Sequence, residues 1–352
     1  MAGNRSYPLN AWYVAAWDTE VGRNFLTRTI CDKKVLLYRT TDGRAVALED
    51  ACWHRLAPLS LGKLVGNDVA CGYHGLRFNP KGRCTFMPSQ ETINPSARVH
   101  AFPIVEKYRF VWIWPGDPAL ANPDLIPDLH WNDDPAWAGE GGVVSIESNF
   151  QLLVDNLMDL THETFVHESS IGNEAVAEAP FEVVHGERTV TVIRWMLDND
   201  APPFWRALLS RPGNVDRWQI IRFEAPSVIT MDVGVAIAGT GAPQGDRSQG
   251  VTGTLLHILT PSTETSSYYF WNFLRNFRTS EQRITTMTRQ GVPKILAEDR
   301  RVIEAQQQMM RDNPDKVFYN LNIDAGAMWA RRLVDEMLAK EQGPGRVPLA
   351  AE

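Results

Sequence analysis

Residues 52–74 read CWHRLAPLSLGKLVGNDVACGYH. Two cysteine–histidine pairs, Cys52 with His54 and Cys71 with His74, stand across sixteen intervening residues. Two thiolates and two imidazoles can hold zinc tetrahedrally or ligate iron. Zinc fingers usually space their first pair by two to four residues and keep like ligands together. Here each pair mixes one thiol with one imidazole, as C-x-H followed by C-x2-H. A [2Fe–2S] centre in which one iron takes two thiolates and the other two imidazoles calls for that mixture. Each loop then gives one ligand to each iron. Gly72 and Gly75 flank Tyr73 and His74, where backbone must pass close to the sulfides. Cys31 and Cys84 lie outside the pattern and read as ordinary buried thiols.

The surroundings read as β structure. KKVLLYRTTDGRAVALED (33–50) gives two short strands around Asp42-Gly43, a good hairpin turn. GYHGLRFNPKGRCTF (72–86) repeats the pattern with a turn at Pro80-Lys81-Gly82, and YRFVWIWPGD (108–117) is a strand stopped by Pro115-Gly116. Residues 1–115 are therefore expected to form an all-β domain. PGDPALANPDLIPDLHWNDDP (115–135) has no sustained period, and 116–138 reads as a linker. Within the second domain, 116–352, residues 151–168, 279–311 and 325–341 read as helices. The stretches 181–197, 217–237 and 251–275 read as long antiparallel strands. Strands and helices in separate runs make the fold class α+β.

Bulk composition narrows the function. The 352 residues are 44% hydrophobic and 22% charged, an ordinary globular balance. A net charge of −7 argues against nucleic acid as partner, since phosphate binding needs clustered Lys and Arg. The first residues carry no long apolar run, so neither a secretory signal nor a membrane span is expected. Four cysteines are too few for a disulfide scaffold, and a cytoplasmic setting is expected. The twelve tryptophans suit core packing or an aromatic pocket equally.

A one-electron centre needs about a hundred residues, and VDNLMDLTHETFVHESS (154–170) suggests what the rest does. On a helix Asp155, Asp159 and His162 fall at i, i+4 and i+7, on one face. His167 is five residues past His162, roughly 140° around an ideal helix, so both imidazoles can meet one ion only if the helix ends or bulges between them. Two His and one carboxylate around Fe(II) leave positions open for O2 and substrate. PKILAEDRRVIEAQQQMM (293–310) supplies a candidate carboxylate. Asp299 aligns with Ile295, Val302, Ile303 and Gln306, and an acid on a buried face needs a cation. Glu298, Glu304 and Asp324 are weaker by that test.

The first domain resembles the Rieske domain of ring-hydroxylating and demethylating oxygenases. That family usually carries Cys-Pro-His-Arg-Gly, where this chain has Trp53 for the proline and Leu56 for the glycine; no ligand is lost. DNLMDLTHETFVH, APPFW, DRWQIIRF, ILAEDRRVIEAQQ and NIDAG resemble the vanillate O-demethylase oxygenase components and their relatives, and lie across the second domain. The resemblance implies a helix-grip-like catalytic domain with His162, His167 and Asp299 as mononuclear iron ligands. It makes Asp159 the acid that bridges a cluster histidine of one subunit, His74 for preference, and His162 of the next. Asn156 matches a polar residue beside the iron. It also implies a homotrimer and a partner reductase that carries flavin, a second iron–sulfur cluster and NAD(P)H.

The expected function is the terminal oxygenase of a multicomponent Rieske monooxygenase, removing methyl from a methoxylated aromatic acid with O2 and releasing formaldehyde. An alternative within enzymology hydroxylates a methyl group or cleaves a diaryl ether on an aryl sulfonate or carboxylate. An alternative of another class is a Rieske electron carrier or a zinc-stapled binding protein without turnover. His257, on a strand leading to the catalytic half, is a candidate substrate contact, with a satisfied core histidine as the competing reading. Asn272, beside Trp271 and Phe273, is a candidate for the pocket wall or the core. His100, His130 and His185 are assigned to structure or surface. GTGAPQGD (239–246) is glycine-rich but lacks the strand–turn–helix context of a nucleotide site, so electrons must come from another protein.

Overall fold

The computed structural model describes residues 5–168 and 171–342. Two compact units emerge: one takes Pro8–Ile126 with Thr260–Glu264, and the other takes the rest of the described chain.

The first unit is all β. Its strands are β1 (Tyr13–Trp17), β2 (Leu26–Ile30), β3 (Lys33–Arg39), β4 (Ala45–Glu49), β5 (Lys63–Val65), β6 (Asp68–Ala70), β7 (Arg77–Phe78), β8 (Cys84–Phe86), β9 (Ile104–Lys107) and β10 (Phe110–Ile113). They form three small sheets in the orders β1-β10-β9, β2-β3-β4 and β5-β6-β7-β8. The expected turns are present, with Gly43 and Gly82 at φ 86° and 73°, the left-handed region that glycine enters freely. Leu36, Tyr38, Leu48, Val69 and Phe78 build a core that includes Cys52 and Cys71.

The second unit is a seven-stranded sheet packed with helices. In chain order come β11 (Gly141–Ile146), α1 (Phe150–Met158), α2 (Glu163–Val166), α3 (Glu174–Glu178), β12 (Phe181–His185), β13 (Thr189–Asn199), α4 (Pro203–Leu209), β14 (Val215–Glu224), β15 (Val228–Ile237), β16 (Gly250–Thr263), β17 (Ser266–Arg275), α5 (Gln282–Asp312) and α6 (Ala325–Gln342). The sheet order is β11-β17-β16-β15-β14-β13-β12. Each expected long strand contains a turn. The 181–197 stretch folds back at 186–188, 217–237 at 225–227 and 251–275 at 264–265, giving hairpins β12–β13, β14–β15 and β16–β17. Period-two alternation continues through a tight turn, so strand pattern alone does not place the reversal. Of the three helical expectations two hold, as α5 and α6, while 151–168 is broken into pieces. No helix among the described residues is long and apolar enough to cross a membrane.

The sheet's centre is tightly packed around Trp218, which is fully buried, donates its indole N–H to Asp232 at 2.9 Å and lies under the Arg247 guanidinium. Gly234 is opposite it in register, and a Cβ there would come 2.2 Å from Trp218 Cζ2 and 2.4 Å from the Val251 carbonyl. Gly234→Ala is therefore expected to lower stability by about 1–3 kcal/mol through overpacking. A urea titration that leaves the midpoint unchanged would contradict this.

Candidate functional site

Helix α1 ends at Met158, and Asp159 leads into a short 3-10 turn over Leu160–His162. Its Oδ1 accepts from the Thr161 backbone N–H at 3.0 Å, satisfying a donor the new turn would leave unpaired. Helix α2 follows at once and His167 closes it. The helix thus breaks between the two histidines, as their spacing demands, and their rings lie 5.4 Å apart between centroids.

Asp299, from the middle of α5, meets them. Its Oδ1 is 3.5 Å from His162 Nε2 and 3.0 Å from His167 Nε2. The ligand atoms of the three residues all lie within 4.8 Å of one another. Each imidazole is held by its far nitrogen. His162 Nδ1 donates to the Asp159 backbone carbonyl at 2.7 Å, and His167 Nδ1 donates to the Glu298 carboxylate at 2.6 Å. A ring tied in this way presents the Nε2 lone pair, so two lone pairs and one carboxylate converge. That donor set fits a divalent iron with coordination positions to spare. Burial works to lower the His167 pKa, but hydrogen bonds to Asp299 and Glu298 and the charge of Glu163 leave it raised, so the site favours positive charge. Asn156 Nδ2 lies 3.4 Å from Asp299 Oδ1 and orients that carboxylate.

Several expectations need correction. Asp155 does not share a working face with Asp159 and His162: it pairs with Arg331 of α6, where burial raises its pKa against the pull of that arginine. The buried stripe of α5 runs through Leu296, Asp299, Ile303 and Gln307, whereas Val302 and Gln306 are exposed. Glu298, weaker than Asp299 as a ligand candidate, instead holds His167. The only signal for it in the sequence is a second carboxylate beside the ligand candidate. Asn272 donates to Asn132 Oδ1 at 2.7 Å, and alternation along β17 puts it on the sheet face opposite Tyr269. It therefore does not share a surface with His257.

His257 on β16 is buried, and its Nδ1 lies 2.7 Å from the Tyr269 hydroxyl. Burial pushes the His257 pKa down to about 3, only partly offset by Asp299, so the ring is neutral at ordinary pH. Burial, then Asp299, raises the Tyr269 pKa well above its usual value. Both groups thus feel the Asp299 charge. The Tyr269 hydroxyl occupies Nδ1, which leaves Nε2 as the ring nitrogen outside that bond. His257 Nε2 has no hydrogen-bond partner among the described residues.

In the first unit, the loops 52–57 and 71–76 are built alike. Cys52 N–H donates to Ala57 and Leu56 N–H returns to Cys52, both at 2.9 Å; Cys71 N–H donates to Leu76 at 2.8 Å and Gly75 N–H returns to Cys71 at 3.0 Å. Leu56 at φ 58° takes the left-handed position that Gly75 holds at φ 75° in the second loop. The loop shape therefore survives the loss of glycine, at the cost of placing a Cβ in a conformation that disfavours it. Gly62 and Gly72 are needed for close approach: a Cβ would come 1.9 Å from the Ala70 carbonyl and 2.5 Å from the Leu61 carbonyl, respectively. The Cys52 and Cys71 thiols are buried side by side, and burial with that neighbour pushes Cys52 up to about 11. The His54 and His74 rings are exposed, 4.8 Å apart between centroids. Two inward thiols and two outward imidazoles match the division of ligands a mixed [2Fe–2S] centre requires.

Comparison with known proteins agrees with both halves. Residues 11–107 match the Rieske [2Fe-2S] domain, and residues 146–340 match the vanillate O-demethylase oxygenase C-terminal domain. The chain is 43% identical to the vanillate O-demethylase oxygenase subunit of Pseudomonas sp. strain HR199, covering 98% of this chain and 99% of that one. It is 42% identical to the iron-sulfur subunit of the toluene-4-sulfonate monooxygenase system of Comamonas testosteroni, covering 95% and 98%. The crystal structure of dicamba monooxygenase with non-heme iron and dicamba superposes with a TM-score of 0.82 at 34% identity, covering 95% of this chain and 98% of that one.

Leu56 is 74% exposed, so its side chain contributes little packing to set against its backbone strain. Leu56→Gly is expected to retain the cluster and raise stability by up to about 1 kcal/mol. A lower Tm for the cluster-loaded variant would contradict the strain argument.

Proposed function

Because the chain belongs to the family of Rieske oxygenase components that includes the vanillate O-demethylase oxygenase subunits, we propose that it removes the methyl group from a methoxylated aromatic acid. The family match across both halves sets aside a stand-alone electron carrier or a zinc-stapled binding protein. One observation carries the reading: two Nε2 lone pairs and the Asp299 carboxylate converge within 4.8 Å in a chain that also bears a Rieske domain. In this proposal Cys52, His54, Cys71 and His74 hold the cluster, and His162, His167 and Asp299 hold one mononuclear iron. The dicamba monooxygenase structure with non-heme iron supports the second assignment.

When bound, that iron supplies O2 activation and oxygen insertion into a substrate C–H bond. The chain's own groups prepare the site. Glu298 and the Asp159 carbonyl keep both imidazoles in the Nε2-ligating tautomer. In this reading the Tyr269 hydroxyl donates to His257 Nδ1, so that His257 offers an Nε2–H to the substrate's anionic group. Hydroxylation of an aryl methyl ether gives a hemiacetal, which collapses to a phenol and formaldehyde. The balance is substrate, O2, NAD(P)H and a proton to phenol, formaldehyde, water and NAD(P)+. The nicotinamide and flavin belong to a partner reductase; relatives named as oxygenase components and as part of a monooxygenase system support that division.

The proposal further places the chain in a homotrimer, with the cluster of one copy facing Asp159 of the next. Exposure of His54 and His74 supports an outward electron path. A cytoplasmic setting suits four cysteines of which none is joined in a disulfide among the described residues. A second reading, hydroxylation of a ring methyl group on an aryl sulfonate, is supported by the 42% identity to the toluene-4-sulfonate system subunit.

Product analysis separates the two. With a generic reductase, a methoxybenzoate is expected to give formaldehyde in step with O2 uptake. Asp299→Ala should abolish both and lose the mononuclear iron while retaining Rieske absorption. A benzyl alcohol product from a methylbenzenesulfonate, without formaldehyde from any methoxybenzoate, would replace the first reading by the second. Tyr269→Phe frees the His257 tautomer and is expected to raise KM for the aromatic acid about tenfold, the worth of one hydrogen bond to a charged group, with a smaller effect on kcat. An unchanged KM would remove His257 from substrate binding.

A further inference from the structure

Beneath the 159–163 turn lies a cluster of buried polar groups for which iron ligation has no use. Arg194 on β13 and Arg217 and Gln219 on β14 are all nearly inaccessible to solvent. Arg194 sits directly opposite Gln219 in register, and Arg217 is two residues along, so alternation sends all three to one face of the sheet. The same register carries across β15: Gln219 faces Val233, and Phe223, on the same face as Gln219, faces Ile229, which pairs with His257. The three therefore project from the sheet face that also carries His257.

Their contacts fall on alternate residues of the turn. Arg194 Nη2 donates to Thr161 Oγ1 at 3.2 Å and lies 3.7 Å from Asp159 Oδ1. Arg217 Nη2 and Gln219 Nε2 both donate to Glu163 Oε2, each at 2.9 Å. Asp159, Thr161 and Glu163 are thus gripped from the sheet, with His162 between the last two. His162 is itself bonded to the Asp159 carbonyl. Two guanidinium groups are balanced by two carboxylates.

Stability is a poor reason to keep this arrangement. Buried ion pairs seldom outperform apolar residues of equal volume, because desolvation offsets the attraction. Arg194 Nε and Nη1, Arg217 Nη1 and Gln219 Oε1 are moreover buried without a hydrogen-bond partner among the described residues, which adds a further cost. Such costs are tolerated where geometry matters more than net stability, as when a site must hold its groups to a fraction of an ångström. Among the described residues the cluster holds Asp159, Thr161 and Glu163, the turn whose backbone carries His162.

We propose that Arg194 is a positioning residue of the electron relay, which together with Arg217 and Gln219 fixes the Asp159–Glu163 turn so that the Asp159 carboxylate keeps one orientation between the two iron centres. This rests on the reading of Asp159 as the bridge. In this reading Arg194 acts through Asp159.

The test uses the fully loaded protein as wild type, Arg194→Gln, Arg194→Lys, Asp159→Asn and the Arg194→Gln/Asp159→Asn double variant. Reduced protein with bound substrate is mixed with O2, and the return of oxidised Rieske absorption gives the rate of cluster-to-iron transfer. Arg194→Gln is expected to keep both metals and slow transfer about tenfold or more, since small misplacements at a reacting centre have effects of that size. Arg194→Lys should recover part of the rate. In the Asp159→Asn background, Arg194→Gln should add little, because residues acting through one another are not additive. In protein freed of mononuclear iron, Arg194→Gln should also speed hydrogen exchange at the Thr161 and His162 amides and leave α1 unchanged. A slow Asp159→Asn beside a wild-type rate in Arg194→Gln would overturn the proposal, as would independent, multiplying effects in the double variant. Loss of iron from both Arg194 variants would overturn it too, by assigning the cluster to folding. If Asp159→Asn itself transferred at the wild-type rate, the bridging reading would fall and the proposal with it.

Discussion

Two imidazoles five residues apart cannot face one ion from a continuous α-helix, and the catalytic half is organised around the break that allows them to. Asp159 makes that break. Its side chain caps the new turn through Thr161, and its carbonyl holds His162. One residue thus ends a helix, starts another and sets the tautomer of His162. The second imidazole is set independently by Glu298, from the same helix that supplies Asp299. Adjacent carboxylates on α5 therefore do different jobs: one faces the prospective ion, and the other reaches around the histidine ring.

The seven-stranded sheet completes the site from below. Its face toward these helices is not uniformly apolar. Arg194, Arg217, Gln219 and His257 interrupt it, each buried. The arginines are neutralised by Asp159 and Glu163, whereas His257 avoids the problem by remaining uncharged. These are two solutions to the same constraint, since a low-dielectric surface accepts polar groups only when their charge is paired or absent.

In the first unit the same economy appears as repetition. Both cluster loops use a cysteine whose carbonyl receives an N–H four residues on, and both turn through a left-handed residue. Gly75 enters that region freely, while Leu56 is carried there by the flanking hydrogen bonds with its side chain in solvent. The thiols anchor in the core and the imidazole rings are exposed.

Much of this was legible in the chain itself, because local chemistry is written locally. The C-x-H and C-x2-H spacing, the Asp42-Gly43 and Gly82 turns, the long amphipathic α5 and the forced break between His162 and His167 all depend on residues within a few positions of each other. What only the tertiary structure decided depends on register between distant segments. Alternation sends Asn272 away from His257 and ties it to Asn132; Asp155 goes to Arg331 of α6 instead of the metal side; Glu298 closes on a histidine 131 residues away. Arg194 and Gln219 become neighbours only because β13 and β14 pair with one offset and no other. A shift of one residue in strand pairing would turn Arg194, Gln219 or Asn272 to the opposite face, and no feature of the individual strands records which offset is taken.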